Sequence, residues 1–234
     1  MTPDFISGEV ILIDKPLGWT SFDAVNKIRW NIKRHLSVKK IKVGHAGTLD
    51  PLATGLLIIC SGKFTKRIEE FQAQEKEYIA TFRLGGTTPC FDLEKEVDKT
   101  YPTEHITETM IHEAVKSFVG VTSQIPPIFS AKKIDGVRAY ESARQNIEVE
   151  IQPRDINISA FEIININFPD IEARICCSKG TYIRAIARDL GEKLNSGAHL
   201  IALRRTKIGN FSVENAKSVE SFVNSLKNEN DQQS

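Results

Sequence analysis

Long hydrophobic runs are missing from this chain of 234 residues. The longest purely apolar stretch, over 56–60, is the size of a strand and far short of the roughly 20 residues a membrane span needs. Cysteine is scarce: Cys60, Cys90, Cys176 and Cys177 are all there is, and no two stand as C-x-x-C. That excludes a disulfide framework and, with no histidine beside them, a zinc site; they read as buried, inert thiols. Charge of one sign is not in excess either. Lys plus Arg is 31 against 30 for Asp plus Glu, a formal net charge of +1. The first fourteen residues carry Asp4 and Glu9 and no basic flank, unlike a secretory signal, so a cytoplasmic protein is expected. What remains is an ordinary globular composition, 41% apolar and 26% charged, with enough length to build a core without staples.

The near-zero net charge hides segregation. Lys27, Arg29, Lys33, Arg34, Lys39, Lys40 and Lys42 follow one another without an acid between them. Lys63, Lys66 and Arg67 form a second basic group. Lys179, Arg184, Arg188, Lys193, Arg204, Arg205 and Lys207 form a third. The acids gather over 92–98, 104–113 and 148–150. A single basic run is usually a solvated helix face, but three of them suit a polyanion ligand with salt-dependent affinity.

Periodicity predicts a strand over 8–14 and a turn at Lys15-Pro16-Leu17-Gly18. Thr20 or Ser21 then caps a helix to about Lys33, with Phe22, Val25, Ile28 and Ile32 at helical spacing. A glycine-punctuated loop is expected over 42–50, a buried strand over 56–60, a short helix over 64–71 and an alternating strand over 77–84. An amphipathic helix over 103–119 should stop at Gly120, and Pro126-Pro127 argues against regular structure over 122–130. A short helix is expected near 139–145. Strands over 156–168 and 171–177 read as a hairpin around Pro169-Asp170. A helix over 182–194, a strand over 200–208 and a helix over 216–226 complete the chain. Without regular β–α alternation the fold class is α+β, a mixed, mostly antiparallel sheet flanked by helices.

One segment concentrates chemistry. Residues 43–55 read V-G-H-A-G-T-L-D-P-L-A-T-G, a lone carboxylate, Asp50, ahead of a proline and downstream of His45 between glycines. Taken alone, Asp-Pro is more often a turn initiator than a catalytic group. There is no phosphate-binding P-loop or dinucleotide fingerprint here, and no second acid is placed for a carboxylate-pair glycosidase.

This segment resembles the aspartate motif of the TruB family of tRNA pseudouridine synthases. Five other segments resemble that family in the same order. They are Asp14-Lys15-Pro16-Leu17-Gly18-Trp19-Thr20-Ser21, the strand bearing Tyr78, the stretch 124–144 (QIPPIFSAKKIDGVRAYESAR), Gly180-Thr181-Tyr182-Ile183-Arg184, and Leu203-Arg204-Arg205-Thr206. The resemblance spans about 8–212. It departs at Ala46, where the family usually carries Thr.

The resemblance implies a pseudouridine synthase catalytic fold and isomerisation of the T-loop uridine at tRNA position 55, with no metal and no cofactor. Asp50 is the implied catalytic carboxylate, as nucleophile or as base towards the sugar, and Arg184 the arginine that pairs with it. Tyr78 would stack on the target base, Tyr182 and Leu203 would wall the pocket, and Lys66 would lie near it. His45 would fill the space left by the flipped base, and Lys15 with the basic runs would contact phosphates. As domains, 1–227 is expected to be the catalytic domain, 121–150 a mobile RNA-binding insertion and 228–234 a disordered tail, without a C-terminal module of the PUA type. The partner is tRNA through its T stem-loop; no membrane, no obligatory protein partner and a monomer are expected. The alternatives are a related synthase on another RNA, or a non-catalytic RNA-binding or folding-helper protein on the same scaffold.

Overall fold

A computed structural model describes residues 3–127, 133–134, 137–138 and 152–231. The elements run in the order β1 (Val10–Lys15), α1 (Ser21–His35), β2 (Val43–His45), β3 (Ala53–Ser61), a 3-10 turn (Gly62–Arg67), α2 (Ile68–Ala73), β4 (Lys76–Leu84), β5 (Gly86–Thr87), β6 (Lys99–Thr100), α3 (Glu108–Lys116) and β7 (Gly120–Gln124). The second half gives β8 (Lys133–Ile134), β9 (Val137–Arg138), β10 (Arg154–Asn167), β11 (Asp170–Cys177), α4 (Ile183–Lys193), β12 (Ala198–Ile208), β13 (Phe211–Ser212), a 3-10 turn (Val213–Asn215), β14 (Lys217–Ser218) and α5 (Val219–Asp231). This is the α+β class expected. The chain divides into two compact units, Met1–Tyr78 with Leu203–Ser234, and Ile79–Ala202.

In the first unit the strands lie in the order β14-β1-β3-β12-β4. β3 is buried on both faces, which is why 56–60 is uninterrupted in apolar residues rather than alternating. Leu57 and Ile59 face one core with Ile11 and Ile13 of β1, Ala24, Val25, Ile28 and Ile32 of α1, and Phe222 and Leu226 of α5. Leu56, Ile58 and Cys60 face a second core with Ala46, Phe71 and Ile208. α1 starts where its cap chemistry dictates: the Thr20 side chain accepts from the Asp23 amide while the Asp23 carboxylate accepts from the Thr20 amide.

One long-range pairing positions the Asp50 segment. β3 and β12 run parallel, with Arg205 opposite Gly55. Gly55 has φ +102°, and any Cβ there would collide with the Arg205 backbone. Glycine is therefore required for the two strands to approach.

In the second unit, β4 pairs with β11, β11 with β10, and β10 with β7. The β10–β11 hairpin forms as predicted, with Asn167 opposite Asp170. The buried face of β11 (Ile171, Ala173, Ile175, Cys177) alternates with partly exposed residues. Arg83 and Asp170 join β4 to this hairpin through a bidentate ion pair of 2.7 Å.

Several expected boundaries shift. α3 begins only after Thr107, whose side chain accepts from the Met110 amide, and it ends at Lys116. Gly120 does not stop a helix into irregular chain: it opens β7, because Gly120–Gln124 finds a partner in β10. A two-residue-per-face pattern is too weak to show in so short a strand. β2 likewise lies inside the stretch expected to be loop, paired to β3 through Val43 and Ser61. α5 continues to Asp231, into the segment expected to be a disordered tail. The helix expected near 139–145 and much of the insertion expected over 121–150 lie outside the described residues. Among the described residues no helix is long and apolar enough to cross a membrane.

Candidate active site

The Asp50 loop is held from both flanks. Ser21, fully enclosed at the start of α1, accepts from the Leu49 amide at 2.8 Å and donates to the Leu49 carbonyl at 3.1 Å. The Asp50 carbonyl accepts from the Ala53 amide at 3.0 Å, and the Pro51 carbonyl from the Gly18 amide at 2.9 Å. A residue so bracketed has little freedom to swing, and Asp50 itself is half-buried.

Arg205 fixes the far side of the same loop. Its guanidinium is 1% exposed. Nε donates to the Leu56 carbonyl at 2.8 Å, one terminal nitrogen to Thr48 at 3.4 Å and the other to Gly47 at 3.1 Å. One rigid fork thus spans three carbonyls around the turn. Gly47 has φ +100°, so the chain can wrap this fork without a side chain in the way.

Lys15 is 0% exposed. Its ammonium donates to the carbonyls of Pro16 at 3.0 Å and Trp19 at 2.6 Å, tying down the turn whose Gly18 amide holds Pro51. The phosphate contact expected of Lys15 does not fit, because an enclosed ammonium already committed to two carbonyls cannot reach a polyanion. Burial pulls its pKa down to about 8, against the charge of Asp50, which raises it. An unfolded Lys15 keeps its proton to about 10.5. Between those values the unfolded chain therefore binds the extra proton, and stability rises with pH. We expect the melting temperature of the protein minus that of Lys15→Met to grow from pH 7 to pH 10, by an amount of order 2–3 kcal/mol in stability; thermal melts at matched ionic strength check it.

His45, in β2 opposite Ile59, is half-buried. Burial is the main reason its pKa lies below the usual histidine value; Arg205 pushes it the same way and the Gly47 backbone opposes. Its ring is therefore neutral at pH 7. Among the described residues its Nδ1 is buried without a hydrogen-bond partner. Ala46, beside it, is fully enclosed and its amide donates to Ile58 at 2.8 Å. Tyr78 is 8% exposed on the inward face of β4, in line with Lys76, Ala80 and Phe82. Leu203 is half-buried on β12 opposite Ala53, and its carbonyl accepts from the Thr54 hydroxyl. Lys66 is exposed in the 3-10 turn after β3.

In the second unit, Tyr182 is the N-cap residue of α4. The side-chain amide of Gln124, 2% exposed, grips it by both backbone groups: Nε2 donates to the Tyr182 carbonyl at 3.1 Å and Oε1 accepts from its amide at 2.9 Å. The Arg154 guanidinium lies 4.7 Å over the Tyr182 ring. Arg184 is enclosed in the first turn of α4. It stands 3.6 Å from the Asp92 carboxylate, itself 5% exposed at the side chain, and donates to the Cys90 carbonyl at 3.2 Å.

Four cations of the third basic run have partners of their own. Arg184 serves Asp92, Arg188 pairs with Asp189 at 2.6 Å, Arg204 with Asp14 at 2.7 Å, and Arg205 serves carbonyls. Sequence reasoning missed Ser21, Arg205, Gln124 and Asp92 as positioning groups. For Arg205 the usable signal was its place in the Leu203–Thr206 motif. For Ser21 and Gln124 it was likewise membership of a matched segment, and for Asp92 there was none.

The model described as the N-terminal domain of TruB family pseudouridylate synthase matches residues 33–183. The model of the tRNA pseudouridylate synthase B C-terminal domain matches 184–234. Fold and family models together are those of a pseudouridylate synthase. A protein of Phocaeicola vulgatus named tRNA pseudouridine synthase B is 62% identical over 219 residues, covering 94% of this chain and 93% of the relative. One of Flavobacterium johnsoniae with the same name is 57% identical over 228 residues, covering 97% and 100%. This chain belongs to the TruB family. Among solved structures, a chain of a Cbf5–Nop10–Gar1 complex superposes with a TM-score of 0.70 at 29% identity, covering 94% of this chain and 54% of that one. A chain of an H/ACA RNP bound to a substrate RNA containing 2′-deoxyuridine gives 0.70 at 27% identity, covering 98% and 57%. This chain therefore spans just over half the length of those two.

Proposed function

We propose that the protein is a tRNA pseudouridine synthase that isomerises the T-loop uridine at position 55, with Asp50 as the catalytic carboxylate. The reaction breaks the bond between N1 of uracil and C1′ of the ribose, turns the base, and joins C5 to C1′. C5 loses its proton and N1 gains one, so redox state and composition are unchanged. An ionised carboxylate facing C1′ can act as nucleophile, or as base towards the sugar.

The observation that carries this reading is the bracing of Asp50. Ser21, Ala53, Gly18 and Arg205 fix the backbone around it, and Asp50 itself is only half-buried. A loop that only turned the chain would not need a buried arginine fork. Preorganisation of this kind lowers the cost of reaching the reacting geometry.

The remaining roles follow the family motifs. The target nucleotide leaves its stack at a cost of a few kcal/mol, and the neutral imidazole of His45 takes the vacated place. Tyr78 stacks on the flipped uracil, with Tyr182 and Leu203 as walls. The family motif gives Arg184 the part of the cation that keeps the catalytic carboxylate charged, and Asp92, 3.6 Å away, orients it. Lys66, exposed after β3, is available to RNA. The RNA is the T stem-loop of tRNA.

Incubating the protein with an unmodified tRNA transcript and mapping pseudouridine by carbodiimide-dependent primer-extension stops tests this. A single stop at position 55 is expected. Modification at another site, or none, would overturn the assignment.

A further inference from the structure

The outer face of α1 is unusual for a solvated helix. The inner face, with Ala24, Val25, Ile28 and Ile32, is committed to the core. On the opposite side Phe22 is 62% exposed and Trp30 54% exposed. At 100° per residue, Arg29, Phe22, Lys33, Trp30, Arg34 and Lys27 fall within one arc of about 160°. The Arg34 guanidinium lies 5.5 Å over the Trp30 ring. Beyond the helix, Lys39, Lys40 and Lys42 are exposed and continue the line of positive charge. Asp23 is the acid on this face, and it is engaged in the capping box with Thr20.

Aromatic rings interleaved with cations are a surface for nucleic acid: bases stack on the rings, and ammonium and guanidinium groups take the phosphates. A protein partner fits less well, because lysine is depleted in protein–protein interfaces, and here lysines predominate. We propose that this face of α1 is a second RNA-contact surface, where Trp30 stacks with an unpaired nucleotide of the substrate RNA and the flanking lysines bind its backbone. The inference rests on the reading that the substrate is RNA. It places a contact along α1 away from the Asp50 loop: Trp30 lies nine residues beyond Ser21, about 13 Å along the axis.

Equilibrium binding of a whole tRNA transcript by filter retention tests it, with Trp30→Ala, Trp30→Phe and the double variant Lys39→Ala/Lys40→Ala. Trp30→Ala should weaken Kd about tenfold, the loss of one stacked base, while Trp30→Phe keeps most of the affinity. The double variant should reduce the slope of log Kd against log salt by between about one and two, the share of two phosphate contacts. Circular dichroism melts should match the unaltered protein, since these positions are exposed. Unchanged affinity in Trp30→Ala, or equal loss in Trp30→Ala and Trp30→Phe, would overturn the proposal. So would a change in sedimentation mass without a change in tRNA affinity, which would give this face to a protein partner. If the unaltered protein binds tRNA but isomerises no uridine, the functional reading fails and this one stands.

Discussion

Replacing Arg205 by Ala should cost about 3 kcal/mol or more and cut turnover at least tenfold. The substitution removes a guanidinium that is 1% exposed and leaves the carbonyls of Gly47, Thr48 and Leu56 without their donors. Each such buried acceptor costs roughly 1–3 kcal/mol, and the vacated volume adds a cavity term. For a chain of this size that corresponds to a fall in melting temperature of about 6–12 °C. Arg205→Lys keeps the charge but cannot reach three acceptors from one nitrogen, so it should recover only part of the loss. An independent readout comes from His45. Arg205 is one of the causes holding that pKa down. In Arg205→Ala the imidazole titration followed by NMR should therefore move upward, though burial remains the larger cause.

Asp50→Asn should behave in the opposite way, costing almost no stability and nearly all activity. The side chain is half-buried and the replacement is isosteric, so stability should change by less than about 1 kcal/mol. Loss of the carboxylate removes the group that reacts at C1′, and turnover should fall at least about a thousandfold. Binding of tRNA should hold within about twofold, because phosphate contacts supply most of the affinity. Asp50 also raises the pKa of Lys15, so that ammonium should release its proton at lower pH in the variant. The two substitutions separate the parts of the site: Arg205 shapes the loop and Asp50 performs the chemistry.

Much of this was legible in the order of residues. The α1 stripe of Val25, Ile28 and Ile32, the alternation in β11 and the turn at Pro169-Asp170 are local signals, and each element formed near its expected span. The aspartate motif marked the loop that proved to be braced. What could not be read depends on contacts between distant segments. The pairing of Arg205 with Gly55 joins residues 150 positions apart, and only that register explains why an arginine in a basic run is enclosed rather than solvated. Lys15 misled for the same reason: a lysine beside a proline turn reads as a phosphate contact until β1 is seen to bury it. Gln124 and Asp92 act through backbone and guanidinium groups far along the chain. β7 and β2 are strands only because β10 and β3 offer them partners.

Transfer of the base from N1 to C5 expels the hydrogen at C5, and that event can be counted. The most direct measurement uses a tRNA transcript carrying tritium at C5 of its uridines, with enzyme in excess, and follows tritium appearing in water for the protein and for Asp50→Asn. The account predicts release of one uridine equivalent per tRNA from the protein and none from the variant at the same tRNA occupancy. Release from Asp50→Asn at a comparable rate would contradict it.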